Sequence, residues 1–181
     1  MDVTAQEIIE FWFKEIDPSF CWKKDQSFDQ LITDRYLECH IAASSGELSR
    51  WRKTPEGRLA EIIVLDQFSR NIFRDTAASF ASDSQALALA QVAVDMGDDL
   101  KLHPQQRSFL YLPYMHSESL IVHEQAVQLF NQPGLENNYN FELKHKDIIE
   151  RFGRYPHRNE ILNRTSTPDE IVFLAEPGSS F

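Results

Sequence analysis

An all-α fold is what this sequence predicts, and three observations predict it. The 181 residues include only 6 glycines and 8 prolines, while Ala, Leu, Gln and Glu, all good helix formers, are frequent. Apolar residues recur at three- and four-residue spacing along most of the chain, with no convincing run of the period-two alternation a strand shows. The periodic runs are punctuated as helices are: Ser, Thr or Asp before them, Gly or Pro after them.

The first helix opens at Thr4. Glu7 stands three residues on, where the two side chains satisfy each other's orphan N–H groups. Ile8, Phe11 and Trp12 give it an apolar face, and Asp17-Pro18 stops it. A second helix begins near Asp25 or Ser27, carries Phe28, Leu31, Ile32, Tyr36, Cys39 and Ala43 at helical spacing, and closes at Gly46. Thr54-Pro55 starts a third, with Thr as cap and Pro in the first turn, and Leu59, Ile62 and Ile63 as its stripe. Asp83 starts the next, with Leu87, Ala90 and Val94, ending at Gly97. His103-Pro104 opens another, interrupted at Pro113. Ser117 caps a helix running to Phe130 that Pro133-Gly134 ends. Phe141, His145, Ile148, Ile149 and Phe152 trace one ended by Gly153. Thr167-Pro168-Asp169-Glu170 repeats the cap signature ahead of Val172-Phe173-Leu174.

About eight helices joined by short loops result. Short loops make neighbours antiparallel, so an array of helical hairpins is expected, without a tetratricopeptide sequence repeat. Residues 1–175 are expected to form one domain, at ~100–200 residues per domain, and residues 176–181 a loose tail.

Composition excludes several function classes. The net charge of -10 repels nucleic acid and anionic lipid. No apolar stretch approaches a membrane span, and Met1-Asp2-Val3 does not begin a signal peptide. Cys21 and Cys39 form no CxxC-type pair and read as reduced thilos of a cytoplasmic protein.

Three segments break the apolar pattern. In Asp66-Gln67-Phe68-Ser69-Arg70-Asn71-Ile72-Phe73-Arg74, Asp66 continues the stripe of Leu59, Ile62 and Ile63. A carboxylate there needs partners, and Arg70 is one turn away. Gln67, Asn71 and Arg74 form a parallel row if the helix persists. The segment reads either as a clamp between helices or as a pocket wall.

The second segment is Tyr111-Leu-Pro-Tyr114-Met-His116-Ser117-Glu118. Pro113 cannot donate a backbone hydrogen bond, so carbonyls there want other donors. Ser117 and Glu118 read as helix-capping residues, a role that does not account for His116.

The third runs from Lys144 to Asn159. It holds five Lys/Arg against two Asp/Glu, a net +3 on a chain whose remainder carries -13. A cationic island on an acidic protein is a candidate anion site, because Arg forks bind carboxylate and phosphate bidentately. Gly153 allows a left-handed turn that would cluster Arg151, Arg154, His157 and Arg158. His145 lies on an apolar face, where a satisfied core role is the commoner one.

These blocks, Leu65–Arg74, Phe109–Glu118 and Arg151–Asn159, resemble the signature blocks of one bacterial family, the domain of unknown function 924. Trp12-Phe13 and Thr165–Glu170 also match its pattern, so the resemblance spans nearly the whole chain. It implies a helical, TPR-like fold and carries over no activity. Two positions depart from the pattern: Ser69, where the family usually has Pro, and Asn163, where it usually has Gly. Asn tolerates a left-handed φ better than most residues.

Two functional readings follow. In the first, a pocket between helices binds or transforms an anionic small molecule. Arg70, Arg74, Arg151, Arg154 and Arg158 hold the anion, and His116 or His157 transfers a proton. Asp66 or Glu118 orients that histidine, while Tyr111 and Tyr114 contact the ligand; Gln67, Asn71, His145 and Asn159 complete the candidate set. In the second, the helices form a scaffold for a protein partner such as an acidic peptide, and the charges are a structural network. No cofactor is expected. Metal binding through His116 and Glu118, or His145 and His157, lacks HExxH, ExxH and Cys-His signatures and is not expected either. No nucleophile elbow, P-loop or dinucleotide turn is present, and the oligomeric state is not legible.

Overall fold

The computed structural model describes residues 3–180 and is all-helical among them. The α segments are α1 (Ala5–Glu10), α2 (Gln26–Ser44), α3 (Pro55–Ile63), α4 (Ser69–Ile72), α5 (Asp83–Asp95), α6 (Pro104–Met115), α7 (Leu120–Phe130), α8 (Glu136–Phe152) and α9 (Pro168–Leu174). A π-helical stretch, Val64–Phe68, joins α3 to α4 without a break, so the nine segments make eight rods. Short 3-10 turns fill several of the connections.

The punctuation seen in the sequence is built as caps. Thr4 accepts from the Glu7 N–H at 3.2 Å, Asp25 from Phe28 at 3.0 Å, and Thr54 from Gly57 at 3.1 Å. At α9 the reciprocal pair is complete: Thr167 accepts from Glu170 N–H at 3.2 Å, and the Glu170 carboxylate accepts from Thr167 N–H at 2.7 Å. Gly153 ends α8 at φ +69, and Asn163 takes φ +53, the left-handed conformation that Gly would adopt freely.

Two boundaries differ from expectation. Helix α6 continues through Pro113 to Met115. Helix α7 starts at Leu120 with Ser119 at its cap, so Ser117 and Glu118 are not capping residues. Both have partners elsewhere: the Ser117 carbonyl accepts from His123, and the Glu118 carboxylate accepts from the Tyr155 N–H and Arg164.

Helix α1 packs on α3, α2 on α4, α3 on α5, α5 on α6, and α6 and α8 on α7. The main core is rich in aromatic rings: Tyr36 lies 4.9 Å from Phe11 and 5.0 Å from Phe68, and Trp12 lies 5.6 Å from Phe68. Burying each such ring stabilises the fold by ~1.5–3 kcal/mol. A smaller cluster of Ile148, Ile149, Tyr155 and Phe173 ties α8 and α9 to the segment between them. Beyond α9, Ser179 Oγ donates to the Leu174 carbonyl at 3.2 Å. Met1, Asp2 and Phe181, which enter the readings of the two termini, lie outside the described residues. Among the described residues no helix is long and apolar enough to cross a membrane.

Candidate functional site

Asp66 and Gln67 sit in the π-helical stretch. Such bulges are uncommon and concentrate at functional sites. The carboxylate of Asp66 is 1% exposed, and its partners are complete. Oδ1 lies 2.7 Å from His116 Nδ1 and 3.1 Å from Arg70 Nη1, and Oδ2 accepts from Gln67 Nε2 at 2.6 Å. Burial alone disfavours the charged carboxyl, but Arg70 and His116 outweigh it and hold Asp66 below the usual carboxylate range.

His116 is partly buried, its side chain 17% exposed, and desolvation pushes its pKa down despite Asp66. An ionised carboxylate accepts, so Nδ1 of the neutral ring carries the proton and Nε2 keeps a lone pair. This is the arrangement in which a carboxylate fixes the tautomer of a general base.

The backbone of His116 is pinned as firmly as its ring. The last carbonyls of a helix have no partner inside it. Here the carbonyls of Met115, which ends α6, and of the two residues that follow it accept from side chains of other elements. Met115 O takes the Tyr155 hydroxyl at 2.5 Å, His116 O takes Arg158 Nη2 at 3.0 Å, and Ser117 O takes His123 Nε2 at 2.8 Å.

His116 lines a cavity of about 350 Å³. Phe80, Leu87, Pro113 and Leu162 form its apolar wall; Asp83, Glu118 and Arg158 are charged groups of its polar wall. Asp83 joins the arginines: Arg70 grips it bidentately at 3.0 and 3.1 Å, and Arg158 Nη1 reaches the same carboxylate at 3.4 Å. Arg158 is 6% exposed and lies between the rings of Phe80 (4.5 Å) and Tyr155 (4.7 Å). Its Nε has no acceptor. Burial and then the neighbouring Arg70 lower its pKa, which marks a positive charge incompletely balanced. Glu118 is held ionised although burial disfavours it, because Arg164 grips it at 2.7 and 2.9 Å and the Tyr155 N–H donates to it at 2.7 Å.

The structure thus brings together Asp66, Gln67, Arg70, His116, Glu118 and Arg158 of the sequence candidates. It places the others differently. The row Gln67, Asn71, Arg74 is broken, because the helix ends at Ile72 and Asp75 turns left-handed at φ +59. Gln67 serves Asp66, whereas Asn71 and Arg74 both bind Asp29 at the start of α2. Tyr111 donates to Asp99 at 2.5 Å, and Tyr114 is buried in the main core; neither lines the cavity. The turn after Gly153 disperses its arginines instead of clustering them. Arg154 grips Glu170 at 2.7 and 2.8 Å, and Arg151 lies over the rings of Phe152 and Phe173. Asn159 bonds Ser166, Glu170 and Arg164. His145 Nδ1 donates to the Phe141 carbonyl at 2.7 Å, and its ring meets Tyr155 edge-on. His157 also packs against Tyr155, with ring centroids 5.5 Å apart. Burial holds these two histidines neutral, His145 down at about 3 and His157 at about 4.

Asp83, His123, Glu142, Tyr155 and Arg164 were missed as site residues. For two of them a signal existed. His123 shares the buried stripe of Ala126 and Phe130, and Glu142 that of His145, Ile148 and Ile149. A polar side chain on an apolar stripe is the same anomaly that singled out Asp66.

A second cavity of about 510 Å³ lies at the start of α6, lined by Trp12, Trp22 and Phe109 among others, and by none of the sequence candidates. Trp22 is 62% exposed and stacks on Phe109 at 5.5 Å. Among the described residues, no group of three or more His, Cys, Asp or Glu side chains is placed to hold a metal ion.

Comparison with known proteins identifies a family. The profile described as "Bacterial protein of unknown function (DUF924)" matches residues 8–178. A solved structure of a protein of unknown function from Agrobacterium tumefaciens is similar throughout, with 40% identity and a TM-score of 0.89. The match covers 94% of this chain and 96% of that one. No curated protein matches the chain.

Proposed function

This chain belongs to the DUF924 family, and we propose that its cavity between α5, α6 and the segment following α8 binds a small molecule bearing an anionic group, with which His116 exchanges a proton. The observation that carries the reading is the 2.7 Å contact between buried Asp66 and a histidine that lines the cavity. The carboxylate leaves Nε2 as the basic atom. A partly buried base that lines a cavity and has a fixed tautomer is suited to proton transfer.

Arg158 is the anion-binding group in this reading. Its buried guanidinium has more N–H donors than acceptors, and a carboxylate or phosphate oxygen would complete the set. Arg70, fully engaged by Asp66 and Asp83, holds Asp83 in place. Glu118, neutralised by Arg164, shapes the wall without repelling the ligand strongly. We also place the protein in the cytoplasm, a reading that fits the free thiols of Cys21 and Cys39, which burial pushes up to about 12.

A thermal-shift screen with carboxylates, phosphate monoesters and nucleotides tests the reading. A ligand at a hundred times its Kd adds ~2.7 kcal/mol of stability. A carboxylate or phosphate ester should raise Tm, and Arg158→Gln should abolish the shift in a protein that still folds. A folded protein indifferent to all of them contradicts the proposal.

A separate observation supports a second reading, a scaffold for a protein partner. The exposed Trp22 stacked on Phe109 edges an aromatic-lined cavity suited to an apolar side chain. Capture of a partner by the chain, lost in Trp22→Ala, would support it.

A further inference from the structure

The molecule contains a second buried histidine–carboxylate pair, and its proton inventory is opposite to the first. His123 and Glu142 are both 0% exposed. His123 Nδ1 lies 2.6 Å from Glu142 Oε1, and His123 Nε2 lies 2.8 Å from the Ser117 carbonyl. A carbonyl only accepts, so Nε2 bears a proton. A neutral imidazole has one N–H, so Nδ1 would then face the carboxylate with a lone pair. Two acceptors at 2.6 Å need a proton between them. The pair therefore holds one proton more than a neutral histidine beside a carboxylate. It is either imidazolium with carboxylate or imidazole with carboxylic acid, and in both forms its net charge is zero. The Asp66–His116 pair, in which Nδ1 carries the one ring proton of neutral His116 and the carboxylate is ionised, holds one proton fewer.

We infer that His123 and Glu142 are positioning residues for His116, locking the Ser117 carbonyl through this shared proton. The inference rests on the reading of His116 given above, and its test is independent of any ligand. The lock acts one residue from His116. Tyr155, 3.2 Å from His123 Nε2 through its hydroxyl, fastens the Met115 carbonyl on the other side.

The surroundings favour keeping the proton. Glu142 Oε2 has no hydrogen-bond partner, and burial raises the Glu142 pKa. The groups facing the pair are few in charge. From α8, Lys146 lies one turn from Glu142 and His145 is held neutral; from the segment after α8 comes the Tyr155 hydroxyl, kept protonated by burial; the end of α6 presents backbone carbonyls. Loss of the proton at high pH leaves a buried carboxylate against a lone pair, and the lock opens.

Glutamine at position 142 separates this role from simple packing. Its amide can donate to Nδ1 of neutral His123 while Nε2–H still reaches Ser117, with no proton to lose. The experiment follows the His116 ring resonances by NMR from pH 6 to 10 in the ligand-free wild type, Glu142→Gln and Glu142→Leu. The wild type should show an alkaline transition at His116 that is lost in Glu142→Gln, whose His116 resonances match the wild type at pH 7. Glu142→Leu, if it folds, should shift them at every pH. An alkaline transition unchanged in Glu142→Gln, or wild-type His116 resonances in Glu142→Leu, overturns the inference. Because no ligand is present, either outcome leaves the anion-binding proposal to be judged by its own screen.

Discussion

Asp66 and His116 lie fifty residues apart in sequence and 2.7 Å apart in the fold, joined at Oδ1 and Nδ1. The π-helical stretch after α3 supplies the acid and the end of α6 supplies the base. Arg70 ties the acid to Asp83 and the start of α5. The contact is therefore both a joint between rods and the core of the site, and its removal has consequences for each.

Asp66→Ala should destabilise the protein by ~3–5 kcal/mol, because it leaves partly buried Arg70 short of a counter-charge and the His116 N–H without an acceptor. Urea unfolding measures this. Arg154→Ala should lower Tm as well, by stranding the buried Glu170 carboxylate. If neither change moves Tm, these charges are not structural clamps.

Acid sensitivity should begin close to neutrality. His157 is held at about 4 and His145 at about 3, below the histidine value of 6.5. The unfolded chain thus binds more protons than the folded one as pH falls from 6.5. Stability from these groups is fully present above 6.5 and declines below it, until about 4 for His157 and about 3 for His145. Tm measured against pH should follow that course, and His157→Gln should flatten its upper part.

A second acid step belongs to Glu170, whose hydrogen bonds from Arg154 hold it at about 2 against an ordinary 4.5. Its folded pKa is depressed, so its contribution is present above 4.5 and is lost as pH falls towards 2. Glu170→Gln should be less stable at pH 7 and show a shallower pH dependence across that window, where His145 still contributes. An unchanged slope between 4.5 and 2 would remove Glu170 from the account.

Gly57 allows the 3-10 turn before α3 to close. A Cβ there would lie 1.9 Å from the Trp51 carbonyl oxygen, a backbone atom that cannot swing aside. Gly57→Ala should cost ~3 kcal/mol, the upper end for overpacking. Gly46→Ala, with open space around its Cβ but φ +77, should cost only ~1–2 kcal/mol of backbone strain. Equal melting temperatures for the two variants would contradict this.

Helix starts were legible because caps are local: Thr4, Asp25, Thr54 and Thr167 announce themselves within three residues. Asp66 was legible because a carboxylate on an apolar stripe demands an explanation. Glu118 was misread as a capping residue because its true partners, Arg164 and the Tyr155 N–H, lie 46 and 37 residues away. The arginines after Gly153 looked like a cluster because sequence shows proximity along the chain, not the acid each one meets: Glu170 for Arg154 and Asp83 for Arg158. The π-helical turn was invisible, since its extra residue changes the register without changing the pattern of apolar residues. Asn163 was read correctly as tolerant of a left-handed conformation.

The most direct measurement is the tautomer and charge of His116 at pH 7, read from the 15N shifts of its ring nitrogens in the folded protein. The account predicts a neutral imidazole protonated at Nδ1, with Nε2 bare, and loss of that tautomer preference in Asp66→Ala. A proton on Nε2 at neutral pH, whether as the other tautomer or as imidazolium, would contradict the reading of His116 as the base of this site.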